Sequence, residues 1–272
     1  MGPATDRSRP AQKRRGSRRR KSKVRAIALL ALLAAFVVFA RAADSPVSLA
    51  SRVRAPVFVA PEVALYRIEA EGRPAGRARF EYAPRGDLVE LRADVERVAP
   101  GVFETQRSVW VFTRALELVR FEESLESRPP GERAPRERRV LRGEASGGVV
   151  RATFEIPGLP PRTIEAEIPP GALARYSAGL VLLEPENLVS GAVYTYRQLS
   201  PRSGRFATAT TRVFEGPAPG LFLLETTSDE APEVLVRTIA APRSRERPNG
   251  AAIRSEQRLA GGKTISLVRV GD

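Results

Sequence analysis

From Tyr66 onward, apolar and charged residues trade places with a period of two, and no other feature narrows the fold as far. Tyr66, Ile68 and Ala70 are interleaved with Arg67 and Glu69, and Ala78, Phe80 and Tyr82 with Arg77, Arg79 and Glu81. Val89, Leu91, Ala93 and Val95 alternate with Glu90, Arg92, Asp94 and Glu96. That period places successive side chains on opposite faces of a strand. Turn-forming clusters separate the runs: Glu71-Gly72-Arg73-Pro74, Pro84-Arg85-Gly86-Asp87 and Ala99-Pro100-Gly101. Further strands are expected at 103–113, 116–127, 148–156, 162–168, 192–200, 205–215, 221–228, 233–240, 251–259 and 264–270, with an exposed edge or hairpin arm at 136–142. Strands with one wet face make an antiparallel sheet buried on one side. A sheet this broad twists and curls. The expected fold is therefore mainly β, a curved antiparallel sheet.

One segment breaks the period. Leu173, Tyr176, Leu180 and Leu183 recur at spacings of three and four, which predicts a helix over 171–183, ending before Pro185. A single amphipathic helix beside a curved sheet covers its concave face. The helix either fills that face or leaves an apolar groove, whose candidate lining is Tyr176, Leu180, Leu183, Tyr194, Tyr196 and Trp110.

The N-terminus carries a different message. Eleven of the first 25 residues are Arg or Lys, against one acid, Asp6. Ala26 to Ala40 are 15 consecutive apolar residues. A basic tail before an apolar run is the pattern of a segment handed to a membrane, with the tail kept on the cytoplasmic side. At about 1.5 Å per residue the run reaches roughly 22 Å, short of the ~30 Å hydrocarbon core. Val38-Phe39-Ala40 and Ala40-Arg41-Ala42 both fit a small-residue cleavage site, which favours a signal peptide. Arg25 and Arg41 flank the run as snorkelling anchors would. Both readings stay open. The expected organisation is a basic tail at 1–25, a signal peptide or membrane anchor at 26–42, a linker at 43–60 and a β-rich exported domain at 61–272. The membrane, met through residues 26–40, is the one partner the sequence names.

Charge and composition close off other functions. The net charge is +14, of which the first 25 residues hold +10. The other 247 residues are only mildly basic, so no nucleic-acid partner is expected. The chain has no Cys and no His. Disulfides, thiolate nucleophiles, Ser-His-Asp triads and His- or Cys-ligated zinc are thereby excluded. After the tail the only Lys is Lys263. Gly261-Gly262-Lys263-Thr264 looks like the end of a phosphate-binding loop, but position 257 is Gln257 where the motif needs Gly, and a turn between strands is the expected structure. Carboxylate chemistry has three visible pairs: Glu122 with Glu123, Glu184 with Glu186, and Asp229 with Glu230. Adjacent residues on a strand point to opposite faces, so Glu122 and Glu123 do not converge. No catalytic residue, cofactor or metal ligand is expected.

Leu65-Tyr66-Arg67-Ile68, Gly72-Arg73-Pro74-Ala75-Gly76 and Phe80-Glu81-Tyr82 resemble the first hairpin of exported bacterial proteins of the DUF3108 type. Ser190-Gly191-Ala192-Val193-Tyr194-Thr195-Tyr196 with Ser200-Pro201 is similar to a stretch of the same proteins, and of the region preceding transglutaminase-like domains in envelope proteins. The resemblance implies a half-barrel of the lipoprotein-carrier kind over most of 60–270, and no catalytic residues. The leading expectation is a non-enzymatic protein of the periplasm or cell envelope, an interaction or scaffold domain meeting an envelope partner. The alternatives are a carrier or sensor of an apolar ligand or lipid in the concave face, and a carboxylate-based hydrolase.

Overall fold

Tight turns set the pattern of the chain. At Glu71-Gly72 and again at Gly147-Gly148, both residues of a two-residue loop have positive φ, 51° and 74° in the first and 59° and 80° in the second. This is the hairpin geometry that matches strand twist, and glycine adopts it without a Cβ clash. The computed structural model describes residues 46–99, 102–129, 131–132, 137–200, 203–259 and 262–271. The basic tail 1–25 and the apolar run 26–42 lie outside the described residues. Among the described residues, no helix is long and apolar enough to cross a membrane.

The strands are β1 (Val47–Ser48), β2 (Glu62–Ala70), β3 (Arg73–Arg85), β4 (Leu88–Ala99), β5 (Val102–Thr113), β6 (Leu118–Arg128), β7 (Glu137–Ser146), β8 (Val149–Glu155), β9 (Arg162–Glu167), β10 (Ala172–Leu173), β11 (Val193–Leu199), β12 (Phe206–Glu215), β13 (Phe222–Ser228), β14 (Ala231–Ala241), β15 (Ala251–Arg258) and β16 (Thr264–Arg269). Among the described residues one α-helix, α1 (Ala178–Leu182), lies between β10 and β11, and short 3-10 turns occur at Leu49–Arg52 and Pro185–Asn187. The described strands form one 16-stranded sheet in the order β1-β11-β12-β13-β14-β15-β16-β2-β3-β4-β5-β6-β7-β8-β9, with β10 also on β11. Only β1 and β10 run parallel to their neighbour. The sheet is not closed: its order ends at β9 on one side and at β1 and β10 on the other. It is a mainly β, half-barrel-like fold, as the alternation predicts. Pro46–Asp272 make one compact unit.

Register stacks the inward side chains in rows. Tyr82, Leu91, Trp110, Phe121, Gly143, Ala152 and Ile164 are successive cross-strand partners from β3 to β9. Gly143 is required in this row. A Cβ there would come within 2.7 Å of the Phe121 ring, which lies over it, and 2.8 Å of the Arg151 carbonyl. The outward residues between them pair as ions across strands, Arg77 with Glu96 at 2.8 Å and Arg142 with Glu122 at 3.3 Å. These exposed pairs keep the outer face wet and contribute little each.

Two segments fill the sheet's interior. The stretch from β10 through α1 buries Leu173, Ala174, Ala178, Leu180, Val181, Leu182, Leu183 and Leu188 in the same core as Trp110, Phe112 and Val213. The predicted helix is mostly absent. Ala172 and Leu173 extend beside Arg197 and Gln198, and Tyr176 sits at φ 66°, outside the right-handed helical range. The apolar spacing marks residues that the core needs at one place, and a strand, a turn and a single helical turn deliver them there. The expected linker at 43–60 is also corrected from residue 46 onward. Val47 pairs with Tyr194, Leu49 is fully buried, and Val57 and Val59 are buried with it. Arg114 holds this strip, its backbone carbonyl accepting from the Val57 N–H at 2.7 Å. Arg243, with a side chain only 9% exposed, pairs with Glu184 at 2.7 Å and donates to the Phe58 carbonyl at 2.9 Å. Burial pulls its guanidinium down from the usual range, and the nearby Glu184 carboxylate works the other way.

Candidate functional site: a bay above the packed core

One step of two residues along the strands separates the solid interior from a hollow. The row next to Trp110 runs Phe80, Ala93, Ser108, Glu123, Leu141 and Phe154. The row after it includes Val95, Gln106, Leu125 and Arg139. Here the sheet borders a half-open cavity of about 1220 Å³. One wall is apolar and comes from β6 to β9: Leu125, Leu141, Phe154 and Ile164, with Ile156 and Leu159 of the β8–β9 turn at the rim. The facing wall is polar: Ser200 and Ser203 beside β12, Glu230 in the β13–β14 turn, and Gln257 on β15. Gly204, ahead of β12, lies against the Ile164 side chain of β9. A Cβ on Gly204 would lie 1.8 Å from the Ile164 methyl, so a larger residue has to push that side chain aside and also take a left-handed φ of 68°.

The floor of this bay is charged. Arg175 donates to the Glu123 carboxylate at 3.1 Å, and the two side chains are 26% and 14% exposed. The Ser108 hydroxyl donates to the same Glu123 oxygen at 3.3 Å, and the Gln106 amide reaches Ser108 at 3.5 Å. The Arg175 guanidinium carbon is 4.7 Å from the centre of the Tyr176 ring and 5.9 Å from that of Trp110. Cation–π contact on two rings and an ion pair hold it in one place.

The six residues read from the sequence as a possible apolar groove come together in the filled part of the interior. Trp110 is fully buried and stacks on Phe121 at 4.7 Å with its edge toward Tyr176 at 6.4 Å. Leu180, Leu183, Tyr194 and Tyr196 are buried, and Tyr176 packs against the same core. The Tyr194 hydroxyl donates to the Asn187 carbonyl at 2.9 Å. Burial raises the phenol pKa of Tyr66, Tyr82, Tyr176, Tyr194 and Tyr196 alike. The bay is lined by a different set, Gln106, Glu123, Leu125, Leu141, Phe154 and Arg175 among them. A signal for Glu123 was present: it shares an alternating row with Phe121 and Leu125, where an inward-facing residue belongs.

The visible carboxylate pairs are divided among other tasks. Glu122 and Glu123 lie on opposite faces of β6, Glu122 pairing with Arg142 and Glu123 with Arg175. Glu184 pairs with Arg243 and Glu186 with Arg54. Asp229 accepts from the Thr208 backbone N–H at 2.9 Å.

No family model matches the chain, and no curated protein matches it. A solved structure does. The crystal structure of a beta-barrel-like protein of the domain of unknown function DUF1849 from Brucella abortus superposes with a TM-score of 0.55 at 11% identity. The match covers 79% of this chain and 97% of that one. At this identity the likeness is one of fold: a β-barrel-like domain.

Proposed function

We propose that the chain is a non-enzymatic exported protein of the cell envelope whose half-barrel carries or senses an amphiphile in the bay. The observation that carries the reading is the 1220 Å³ hollow with an apolar wall and a charged floor. It exceeds the roughly 300–1,000 Å³ of ordinary small-molecule pockets, and its walls divide into apolar and polar sides as the two ends of a lipid do. Export is supported by the basic tail and the apolar run 26–40, and by turn glycines and strand aromatics that resemble those of DUF3108-type exported proteins. The lack of His and Cys supports a role without catalysis. Native mass spectrometry of protein purified from membranes tests the ligand: a discrete lipid-sized adduct is expected, and a spectrum of bare protein alone would count against the reading. The mass of the mature N-terminus tests the placement, giving a chain beginning near Ala43 for a cleaved signal and near Met1 for an anchor.

Contact with an envelope partner is a separate reading, supported by the outer edge of β9, which among the described strands pairs only with β8. Strand addition at this edge requires free backbone groups there. Hydrogen exchange over 162–167 in cells and in the pure protein tests it; equal protection in both would dismiss it.

A further inference from the structure

Taking the bay as an amphiphile site, we infer that its ligand is a zwitterionic lipid, with a phosphate and a primary ammonium on one head group, seated head-first on the Glu123–Arg175 floor. The floor excludes a chain end, because methyl groups set against a half-buried ion pair would strip it of water and return nothing. The head therefore points down, and the tail runs along Leu125, Leu141 and Phe154 toward Ile156 and Leu159, which are 39% and 61% exposed at the mouth.

The charge of the head follows from the pair already there. Arg175 and Glu123 neutralise each other at 3.1 Å. A purely anionic head gains Arg175 but sets a second negative charge beside Glu123, or takes Arg175 away and leaves the carboxylate unpartnered, the costly way to break a buried pair. A purely cationic head meets the mirror problem at Arg175. A zwitterion avoids both. Its phosphate lies on the guanidinium and its ammonium on the carboxylate, so that each of the four charges gains an opposite neighbour and the net charge stays zero. The ammonium is primary because Glu123 requires N–H donors. The aromatic faces that would cage a quaternary ammonium, Tyr176 and Trp110, are already covered by Arg175.

The test is a head-group series on the full chain in non-ionic detergent, with calorimetry and the emission of Trp110 as readouts. Trp110 is the only tryptophan and lies beside Arg175, so it reports on the floor. Dioctanoyl phosphatidylethanolamine is expected to bind about ten-fold or more tightly than dioctanoyl phosphatidylglycerol, phosphatidylcholine or dioctanoylglycerol, and to shift Trp110 emission. Glu123→Gln should erase the preference over phosphatidylglycerol. The wild-type series decides the claim even if that variant fails to fold. Equal or tighter binding of phosphatidylglycerol overturns the inference and moves the head to the rim, beside Arg139 and Arg162. Equal binding of phosphatidylcholine or dioctanoylglycerol overturns it as well. If no lipid in the series binds, or phosphoethanolamine alone binds as well as the lipid, the amphiphile reading itself fails.

Discussion

Trp110 and Ser108 are neighbours on one face of β5, yet they stand in two kinds of interior. The Trp110 row is solid, with Leu91, Trp110 and Phe121 all buried to within 3% exposure. The Ser108 row carries the Glu123 carboxylate and opens onto the bay. The same strands make both. What differs is the filling: residues 46–60 and the stretch from β10 to Leu188 pack under the Trp110 row, and nothing comparable sits above Glu123 among the described residues. The sheet supplies a trough, and short insertions decide where along its length the trough is solid.

The contrast is sharpest under a charge. Leu180→Arg places an unpartnered guanidinium in the filled part and should cost more than about 4 kcal/mol, leaving no cooperative urea transition. Leu125→Arg, in the bay, should cost about 1 kcal/mol or less by the same measurement. Equal losses would erase the distinction between the two regions.

Alkaline pH probes the filled part next. All five tyrosines have phenols raised by burial, the desolvation of the phenolate being the largest cause in each. The folded state keeps these protons above pH ~10 while the unfolded chain releases them. The stability they contribute is therefore whole below pH ~10 and falls as pH rises, by about 1.4 kcal/mol per unit for each such group until its folded pKa is reached. A phenolate absorbance band that rises only together with unfolding is the expected signature. Ionisation near pH ~10 in the intact fold would show that the packing is looser than described.

Crowding distinguishes the seams. Gly204→Ala sets a methyl against Ile164 at a residue with φ 68°, and Gly143→Ala sets one against the Phe121 ring. Each should lose about 1–3 kcal/mol in urea titrations. Arg175→Ala leaves Glu123 in the floor without its cation and should lose about 1–2 kcal/mol, with a change in Trp110 emission. At the small end, Arg151→Ala removes an exposed outer-face pair with Glu165 and should stay within about 0.5 kcal/mol of wild type.

The strands were legible because alternation is periodic and the turns are marked by glycine and proline. Ala78, Phe80 and Tyr82 face in, as their spacing says. The bay was not legible for the same reason. Alternation shows that Glu122 and Glu123 face opposite ways and puts Glu123 in the inward row of Phe121 and Leu125, but it takes the register against Ser108 and Leu141 to show what that carboxylate faces. The 171–183 stretch misled because spacings of three and four also describe a strap that turns back on itself, and the positive φ at Tyr176 leaves no mark in the sequence. Pro46 and Pro56 hid a covering strip for a similar reason. They read as a linker, while Leu49, Val57 and Val59 between and beyond them supply the apolar contacts.

In the middle of the sheet, β2 is hydrogen-bonded to β16, from Tyr66 against Arg269 to Ala70 against Ile265. The join between the two halves is thus made from the first long strand and the last one. That pairing joins residues roughly two hundred positions apart, and contacts so distant along a chain are the slow ones to form, so the seam sets the pace at which the two flanks become one sheet.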